Sequence, residues 1–376
     1  MQFRDLKKQY DVLKDDIDRE IDEVIASSGF ISGKKVKELE EKLAEYVGVK
    51  HCITCANGTD ALTLALKAWG IGEGDAVFVP DFTFFSSGEC PAAEGATVIF
   101  VDVCEDTFNV DPDKLEQAIT RVKSEGKYTP KVVVAVDLFG LPADYTKIKP
   151  LCEKYGLLLL EDGAQGFGGE VNGKKACSFG DISTTSFFPA KPLGCYGDGG
   201  AVFTDNDEWA AMIRSLAVHG KSGEDKYNNI RLGLNSRLDT IQAGILLPKL
   251  KAFKDHEVDD VNKVARLYNS QLDGTSLKLP VPKDGFLSSW AQYTVILPEN
   301  VDRTALQSKL KENGIPSMVY YIKPMHLQGA FQNTDSAKSD CPVTERLSKT
   351  VLSLPMHPYL DDKTVKFICD TLKANL

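Results

Sequence analysis

The sequence predicts an α/β protein with a mostly parallel central sheet flanked by helices and a smaller C-terminal α+β domain. Short apolar runs alternate with helical patterns through about residue 215, and this alternation is typical of parallel sheets. At 376 residues and 43% hydrophobic content, the chain also exceeds the size of a single typical core. We expect a large domain at residues 1–245 and a small domain at 246–376, although the N-terminal helix could pack on the small domain.

The elements of the large domain follow in chain order. Polar amphipathic helices are predicted at residues 7–27 and 33–47, and Gly48 ends the second because glycine readily adopts the left-handed conformation after a helix. Apolar runs bounded by turn residues predict strands at 51–55, 76–80, 97–103, 131–136, 157–160, 182–186 and 200–204. Helical patterns between these strands lie at 60–68, 111–124 and 145–155.

The C-terminal part of the chain has a different pattern. A long helical stretch is predicted at residues 239–273, and we expect it to break near Pro248 and at the acidic turn 255–260, since proline removes a helical hydrogen bond. Beyond it, the pattern predicts a strand at 293–297, a helix at 303–313, a strand at 317–321 and a helix at 361–376. These elements form the predicted small domain.

The overall charge excludes two classes of partner. A net charge of −10 and an isoelectric point near 5.2 disfavour binding to nucleic acid or to an anionic membrane. No apolar run reaches the length that spans a membrane. The first residues also lack the charged-then-apolar pattern of a secretion signal, so we expect a cytoplasmic protein.

The nine cysteines predict neither disulfides nor a metal site. In the cytoplasm thiols stay reduced, and an odd number argues against a complete set of disulfides. Cys52 and Cys55 have a spacing that could indicate metal binding, but side chains three apart on a strand point to opposite faces. We therefore expect both to be small core residues, and we expect no bound metal.

An acidic residue follows the most apolar predicted strand. Asp162 lies just past the carboxyl end of residues 157–160, where ligands of open α/β sheets bind. An acid at this position is either a site residue or the cap of the next helix. About thirty residues downstream, Lys191 lies in a segment that also contains Gly194, Gly197, Gly199 and Gly200.

Lys191 has two interpretations, since most lysines are solvated surface charges. Glycines at this density let backbone and ligand approach closely, which favours a site. A lysine can hold an aldehyde cofactor as a Schiff base, and an acid such as Asp162 can keep the cofactor's ring nitrogen protonated. The pair therefore predicts a covalently anchored cofactor, with Lys191 also serving as general acid and base.

A second segment could bind the cofactor's phosphate. Asn57, Gly58 and Thr59 follow a short strand and open an amphipathic helix, so their free N–H groups face whatever lies in front. An anion there gains about 0.3–1 kcal/mol from the helix dipole alone. The alternative is that Asn57 or Thr59 only caps the helix, and both roles use the same geometry.

Together these motifs resemble the fold-type I enzymes that use pyridoxal 5′-phosphate, and specifically the DegT/DnrJ/EryC1/StrS sugar-nucleotide aminotransferases, over essentially the whole chain. The resemblance implies pyridoxal 5′-phosphate as cofactor, with a pyridoxamine 5′-phosphate form during turnover. It also implies roles for further residues. Those expected to contact the cofactor are Gly58, Thr59 and Ser186 at the phosphate, Phe84 on the ring, Gln165 near the phenolic oxygen, and Asn235 at the phosphate of a partner subunit in a homodimer.

The substrate contacts are also implied by the resemblance. Tyr321, Lys323 and His326 align with a family segment near the substrate, although tyrosines are common in cores. Asn235 could instead cap the following helix, as could Ser236. Arg237 could bind substrate or brace its loop.

The implied activity is transfer of an amino group from glutamate to a keto sugar nucleotide. Residues 186–200, 235–250 and 353–359 look closest to the branch that acts on UDP-2-acetamido-2-deoxy-3-oxo-glucuronic acid in bacterial O-antigen synthesis. The alternatives are a 3-keto or 4-keto 6-deoxy sugar, a related dehydratase, and a non-catalytic scaffold. The dehydratases carry histidine where Lys191 stands, and a scaffold has no need to keep Asp162, Gln165 and Lys191 together.

Overall fold

The computed structural model describes residues 1–223 and 227–376. Its strands are β1 (His51–Cys55), β2 (Asp75–Pro80), β3 (Thr97–Val101), β4 (Thr129–Val136), β5 (Leu158–Asp162), β6 (Glu170–Val171), β7 (Lys174–Lys175), β8 (Ile182–Ser186), β9 (Gly200–Thr204), β10 (Phe286–Leu287), β11 (Tyr293–Ile296) and β12 (Val351–Leu354).

The α-helices lie between these strands and cover the sheet. They are α1 (Leu6–Ser27), α2 (Lys34–Val47), α3 (Gly58–Ala68), α4 (Ser86–Ala93), α5 (Pro112–Glu125), α6 (Tyr145–Tyr155), α7 (Asp207–Leu216), α8 (Thr240–Ala252), α9 (Val258–Leu272), α10 (Arg303–Glu312), α11 (Pro342–Thr350) and α12 (Asp362–Lys373). A π-helical turn, Phe253–Glu257, joins α8 to α9 without a break. Short 3-10 turns lie at Leu138–Gly140, Met325–Leu327, Gly329–Phe331 and Asp335–Lys338.

The central sheet has seven strands in the order β1-β9-β8-β5-β4-β2-β3. Neighbouring strands are parallel except that β9 runs antiparallel to both β1 and β8. This confirms the predicted mostly parallel sheet. Apolar side chains on one face of the sheet pack with α3 and α7, and those on the other face pack with α5 and α6. Burial on both faces explains why the strands are continuous apolar runs instead of alternating patterns.

The strand directions bring several loops to one edge of the sheet. The carboxyl ends of β1, β5 and β8 lie at this edge, as does the amino end of the antiparallel β9. Gly200 at the start of β9 is paired with both Cys55 and Ser186. The last residue of β5, Asp162, is paired with Thr184. Three separate segments of the sequence therefore converge where a ligand of an α/β sheet binds.

A smaller core lies in the C-terminal part of the chain. The antiparallel pair β11–β12 packs with α9, α10 and α12 around buried aliphatic and aromatic side chains. Tyr268 stacks on Tyr293 with ring centroids 4.5 Å apart. The predicted boundary at residue 245 stays a prediction, but α8 packs through Leu246 and Leu250 on Leu39 and Leu43 of α2 in the larger part.

Three predictions for the C-terminal part are wrong. Pro248 lies inside α8, which continues to Ala252, and residues 255–260 continue the helix through the π-helical turn into α9 without a break. The segment 317–321 is not a strand, because only Met318 forms a bridge, to Ser353 of β12. Sequence reasoning also missed α4, whose residues lack an amphipathic pattern, and the elements α7, α11 and β12.

The structure also bears on the predictions about the cysteines and about membrane-spanning segments. Cys52 and Cys55 are buried in cores on opposite faces of the sheet, as their spacing predicts. Every cysteine in the chain is a free thiol. Among the residues described, we find no helix with both the length and the apolar character needed to cross a membrane.

Candidate active site

The start of α3 lies directly against Ser186 at the converging edge. A Cβ built on Gly58 would be 2.8 Å from the Cβ of Ser186, and one on Gly200 would be 2.6 Å from the backbone of Asn57. Both positions therefore tolerate only glycine without a shift of the backbone or of Ser186. The close approach forms a cradle between the first turn of α3 and the end of β8.

The donors in this cradle are backbone N–H groups and hydroxyls. Asn57 caps α3, because its side chain accepts a hydrogen bond of 2.8 Å from Asp60 N–H. The first turn of a helix leaves N–H groups without helical partners, and here Gly58 and Thr59 contribute the first two. The Thr59 hydroxyl is 2.8 Å from that of Ser86. The capping and phosphate-binding interpretations of this segment are thus compatible, with Asn57 as the cap.

Asp162 is a buried carboxylate, 5% exposed, at the end of β5. It accepts hydrogen bonds from the Ser87 hydroxyl at 2.8 Å and from Ala164 N–H at 3.2 Å. Burial raises the pKa of Asp162, and those two donors and the charge of Lys191 oppose the rise. Among the residues that the structure describes, no ion pair joins Asp162 to a basic side chain. A cationic ligand group would supply that missing partner.

Lys191 is partly exposed on the loop between β8 and β9, and it interacts electrostatically with Asp162. Burial lowers the pKa of Lys191, Asp162 opposes this effect, and the positive charge of Arg4 reinforces it. A lowered pKa increases the fraction of neutral amine, which is the form that attacks a carbonyl. The environment therefore favours a nucleophilic lysine over a solvated surface charge.

Gln165 and Tyr321 form a hydrogen-bonded pair beside Asp162. The Gln165 side-chain oxygen accepts from Phe139 N–H at 2.8 Å, and this bond orients its amide nitrogen, which donates to the Tyr321 hydroxyl at 3.1 Å. Burial raises the pKa of Tyr321, so its hydroxyl stays protonated and can donate to a ligand. Phe84 lies 6.3 Å from the Tyr321 ring, between centroids, with 53% of its surface exposed.

These residues fit pyridoxal 5′-phosphate, the cofactor that the sequence predicts. A cradle closed by two glycines can hold a phosphate, an unpaired buried carboxylate suits a protonated ring nitrogen, and an exposed phenylalanine offers a ring face. Lys191 supplies the amine. The contacts link the cradle, Ser86–Ser87, Asp162 and the Gln165–Tyr321 pair into one site.

The segment that contains Asn235 and Arg237 lies beside this site and is tied to the strand end before the cradle through Ser236. Ser236 is buried, and its hydroxyl accepts from Ala56 N–H at 3.1 Å, one residue before Asn57. Asn235 is exposed, and its side-chain oxygen accepts a 2.5 Å bond from Arg237. Neither Asn235 nor Ser236 caps α8, which begins at Thr240. The capping alternative for both is therefore wrong.

Lys323 and His326 differ in their surroundings. Lys323 is exposed, whereas His326 is 4% exposed and lies 2.7 Å from Asp81 through its Nδ1. The bond to Asp81 raises the pKa of His326. Its Nε2 is 3.6 Å from Glu345, and Cys341 completes a buried group with Asp81. These contacts attach residues 325–327 to the end of β2, and a substrate contact by His326 stays a prediction.

Sequence reasoning missed two groups of site residues. Ser86 and Ser87 contact Thr59 and Asp162, but two serines after an aromatic run give no recognisable signal. Arg4 donates to the Pro192 carbonyl at 3.1 Å across a separation of 188 residues, which no local pattern could indicate.

The sequence matches the DegT/DnrJ/EryC1/StrS aminotransferase family over residues 11–373. It is 43% identical over 372 residues to the UDP-2-acetamido-2-deoxy-3-oxo-D-glucuronate aminotransferase of Pseudomonas aeruginosa, covering 99% of each chain. It is 40% identical to a pleiotropic regulatory protein of Geobacillus stearothermophilus, covering 98% of this chain and 96% of that one. Identity is also 40% to the UDP-N-acetyl-3-dehydro-alpha-D-glucosamine 3-aminotransferase of Acidithiobacillus ferrooxidans, with 99% and 97% covered.

Among solved structures, the fold is similar to that of a DegT DnrJ EryC1 StrS aminotransferase from Brucella abortus. The TM-score is 0.96 at 46% sequence identity, and the match covers 100% of this chain and 99% of the other.

The cradle generates a first prediction, with Gly58→Ala as the variant. The added methyl would lie 2.8 Å from Ser186 and force the cradle to open. Overpacking of this kind typically costs about 1–3 kcal/mol, so we expect affinity for pyridoxal phosphate to fall roughly tenfold or more. Titration of the cofactor by visible absorbance measures it. Gly329→Ala is the matched control, because a Cβ at Gly329 meets nothing within 4 Å. Equal affinities in the two variants would contradict the cradle.

Proposed function

Because the chain belongs to the DegT/DnrJ/EryC1/StrS aminotransferase family, we propose that it transfers an amino group from glutamate to UDP-2-acetamido-2-deoxy-3-oxo-glucuronic acid. The observation that carries this proposal is the near-complete match to the Pseudomonas aeruginosa enzyme of that specificity, combined with a site that contains both Lys191 and Asp162. A second relative, from Acidithiobacillus ferrooxidans, also takes its name from a 3-keto UDP sugar. Such a substrate implies that the protein acts in O-antigen synthesis in the cytoplasm.

The cofactor would be held by residues from all three converging segments. Gly58 and Thr59 N–H groups and the Ser186 hydroxyl would hold the phosphate, and Phe84 would cover one ring face. Pyridoxal phosphate, when bound, supplies an aldehyde that exchanges amino groups and a ring that stabilises negative charge on the reacting carbon.

The chain's own residues would then handle binding and proton transfer. The neutral amine of Lys191 would attach the cofactor and, once released, would carry the proton to and from the substrate carbon. Asp162 would favour a positive charge on the cofactor's ring nitrogen, because a cationic partner stabilises a buried carboxylate. The Gln165 amide and the Tyr321 hydroxyl would donate hydrogen bonds to the bound cofactor.

A related dehydratase is the alternative from a different reaction class. The lysine at position 191 disfavours it, since those enzymes carry histidine there. A non-catalytic role is the second alternative, because the relative from Geobacillus stearothermophilus is named a pleiotropic regulatory protein. A regulator would have no need for a lysine whose pKa is lowered beside a buried carboxylate.

We further propose that the active unit is a homodimer with shared sites. Asn235 is exposed in one chain, and the neighbouring loop exposes Ile230 and Leu232, the latter by 94%. Large apolar side chains with this exposure are typical of surfaces that a partner covers. In this arrangement Asn235 reaches the cofactor phosphate of the partner subunit.

Arg237 is the proposed contact for the substrate's carboxylate. It lines an open cavity of about 380 Å³ together with Lys37 and with Arg214 and Glu40, which pair with each other at 2.9 Å. A guanidinium can bind a carboxylate through two parallel hydrogen bonds, and it would give an acidic protein a local site for an anionic sugar. Tyr321, Lys323 and His326 are the further substrate contacts that we propose.

The function is tested by incubating purified protein with pyridoxal phosphate, glutamate and a panel of keto sugar nucleotides. We expect the mass of the aminated product only with 3-keto UDP sugars, and most rapidly with the uronate. Lys191→Ala should give no product, because no other amine replaces it. Amination of a 4-keto 6-deoxy sugar in preference to the 3-keto uronate would contradict the proposed substrate.

Substrate recognition predicts a selective defect in Arg237→Ala. Hydrogen bonds to charged groups contribute about 1.5–3 kcal/mol, so kcat/KM for the uronate should fall roughly tenfold to a hundredfold. Use of a neutral 3-keto hexose with the same nucleotide should change much less. Steady-state kinetics on both acceptors measure this, with the exposed Arg121→Ala as control. An equal loss on both acceptors would assign Arg237 to the donor or to its loop.

A shared site predicts complementation between two inactive chains. Lys191→Ala and Asn235→Ala protomers, co-expressed with different tags, should form mixed dimers that each contain one intact site. The doubly purified mixed dimer should therefore have roughly half of the wild-type activity, because one of its two sites is intact. The activity of the doubly purified mixed dimer tests this prediction. A mixed dimer as inactive as its parents would show that Asn235 acts only within its own chain.

A further inference from the structure

The segment before α1 reaches across the molecule to the loop that carries Lys191. Arg4 Nη2 donates to the carbonyl of Pro192, the next residue after Lys191, at 3.1 Å. The flanking residues are themselves fixed, since Phe3 accepts from Met356 N–H at 3.1 Å and Asp5 caps α1 through a 2.9 Å bond from Lys8 N–H. Arg4 is therefore held on both sides while its guanidinium contacts the Lys191 loop.

We propose that Arg4 is a positioning residue for Lys191, which fixes the backbone of the lysine loop through its bond to Pro192 and places a positive charge at the residue next to the lysine. This inference rests on the proposed function only in taking Lys191 as the nucleophile. Arg4 acts through Lys191 and is not itself required to touch the substrate.

The charge of Arg4 is not cancelled by a close acid. Among the residues described, Arg4 forms no ion pair within 4.0 Å. The acid with the strongest electrostatic effect on Arg4 is Glu257. The Glu257 carboxylate already accepts from Gln9 at 2.9 Å and from Tyr359 at 2.6 Å. Arg4 is half-buried, and a charge that is partly removed from water and only partly compensated acts over a longer range than a solvated ion pair.

A buried lysine, Lys249, also lies within range of the charge of Arg4. Lys249 is 1% exposed, its Nζ has no hydrogen-bond partner among the described residues, and it lies 4.7 Å from the centre of the Tyr196 ring. Burial lowers the pKa of Lys249 to about 8, and the charge of Arg4 acts in the same direction. Burial and Arg4 likewise lower the pKa of His357 to about 4, so His357 is neutral.

Arg4 itself stays charged throughout the working range. Burial lowers its pKa to about 10, while Glu257 and Tyr359 act to raise it. The charged groups that face Lys191 are Asp162, from the end of β5, and Arg4, from the N-terminal segment. Asp162 favours the protonated amine and Arg4 favours the neutral one, so their effects on the pKa of Lys191 oppose each other.

The test compares two variants that separate charge from hydrogen bonding. Arg4→Gln keeps an N–H donor for the Pro192 carbonyl but removes the charge, whereas Arg4→Lys keeps the charge. Full-length protein freed of cofactor is treated with limiting acetic anhydride, a neutral reagent that acylates unprotonated amines, across a range of pH. Peptide mass spectrometry then gives the acetylation of Lys191 relative to the exposed Lys37 of the same chain.

We expect the pH profile of Lys191 acetylation to shift to higher pH in Arg4→Gln and to stay near wild type in Arg4→Lys. An unshifted profile in folded Arg4→Gln, or the same shift in both variants, overturns the proposal. If Arg4→Gln does not fold, Arg4→Lys alone decides, because a displaced profile there contradicts a role for the charge. No sugar nucleotide is used, so failure of the proposed substrate would leave this result unaffected.

Discussion

The carboxylate of Asp162 is removed from water at the carboxyl end of β5, and the other parts of the site are arranged around it. Desolvation of an isolated carboxylate costs several kcal/mol unless hydrogen bonds and an opposite charge compensate. Ser87 and the backbone of Ala164 supply the hydrogen bonds. A protonated cofactor ring would supply the positive charge that Asp162 still requires. Stability of the empty protein and affinity for the cofactor are therefore linked through one buried group.

The sheet supplies the rigidity that this arrangement needs. Gly58 and Gly200 let α3, β8 and β9 approach more closely than any side chain allows, so the phosphate cradle and Ser186 have fixed relative positions. Because β9 runs antiparallel to β8, the loop between them, which contains Lys191, lies at the edge of the sheet where β5 ends. Backbone packing thus sets the distances between Lys191, the first turn of α3 and Asp162.

Electrostatics at Lys191 depend on groups that are remote in sequence. Asp162 stabilises the charged amine, while burial and Arg4 stabilise the neutral amine. An amine that is too basic stays protonated and cannot attack, and one that is too acidic is a poor proton carrier. A balance between burial and Arg4 on one side and Asp162 on the other suits the two roles that we propose for Lys191.

The sequence alone determined the sheet class and most strand positions, and it predicted Asp162, Lys191 and the Asn57–Thr59 segment as site residues, because each depends on local periodicity or on a motif within one loop. It failed at Pro248, where helix packing outweighs the lost hydrogen bond, and at residues 317–321. Only the tertiary structure decided that Ser87 bonds to Asp162, that Gln165 bonds to Tyr321 and that Arg4 reaches Pro192. Such contacts join residues 75 to 188 positions apart, and chain folding, not local pattern, brings them together.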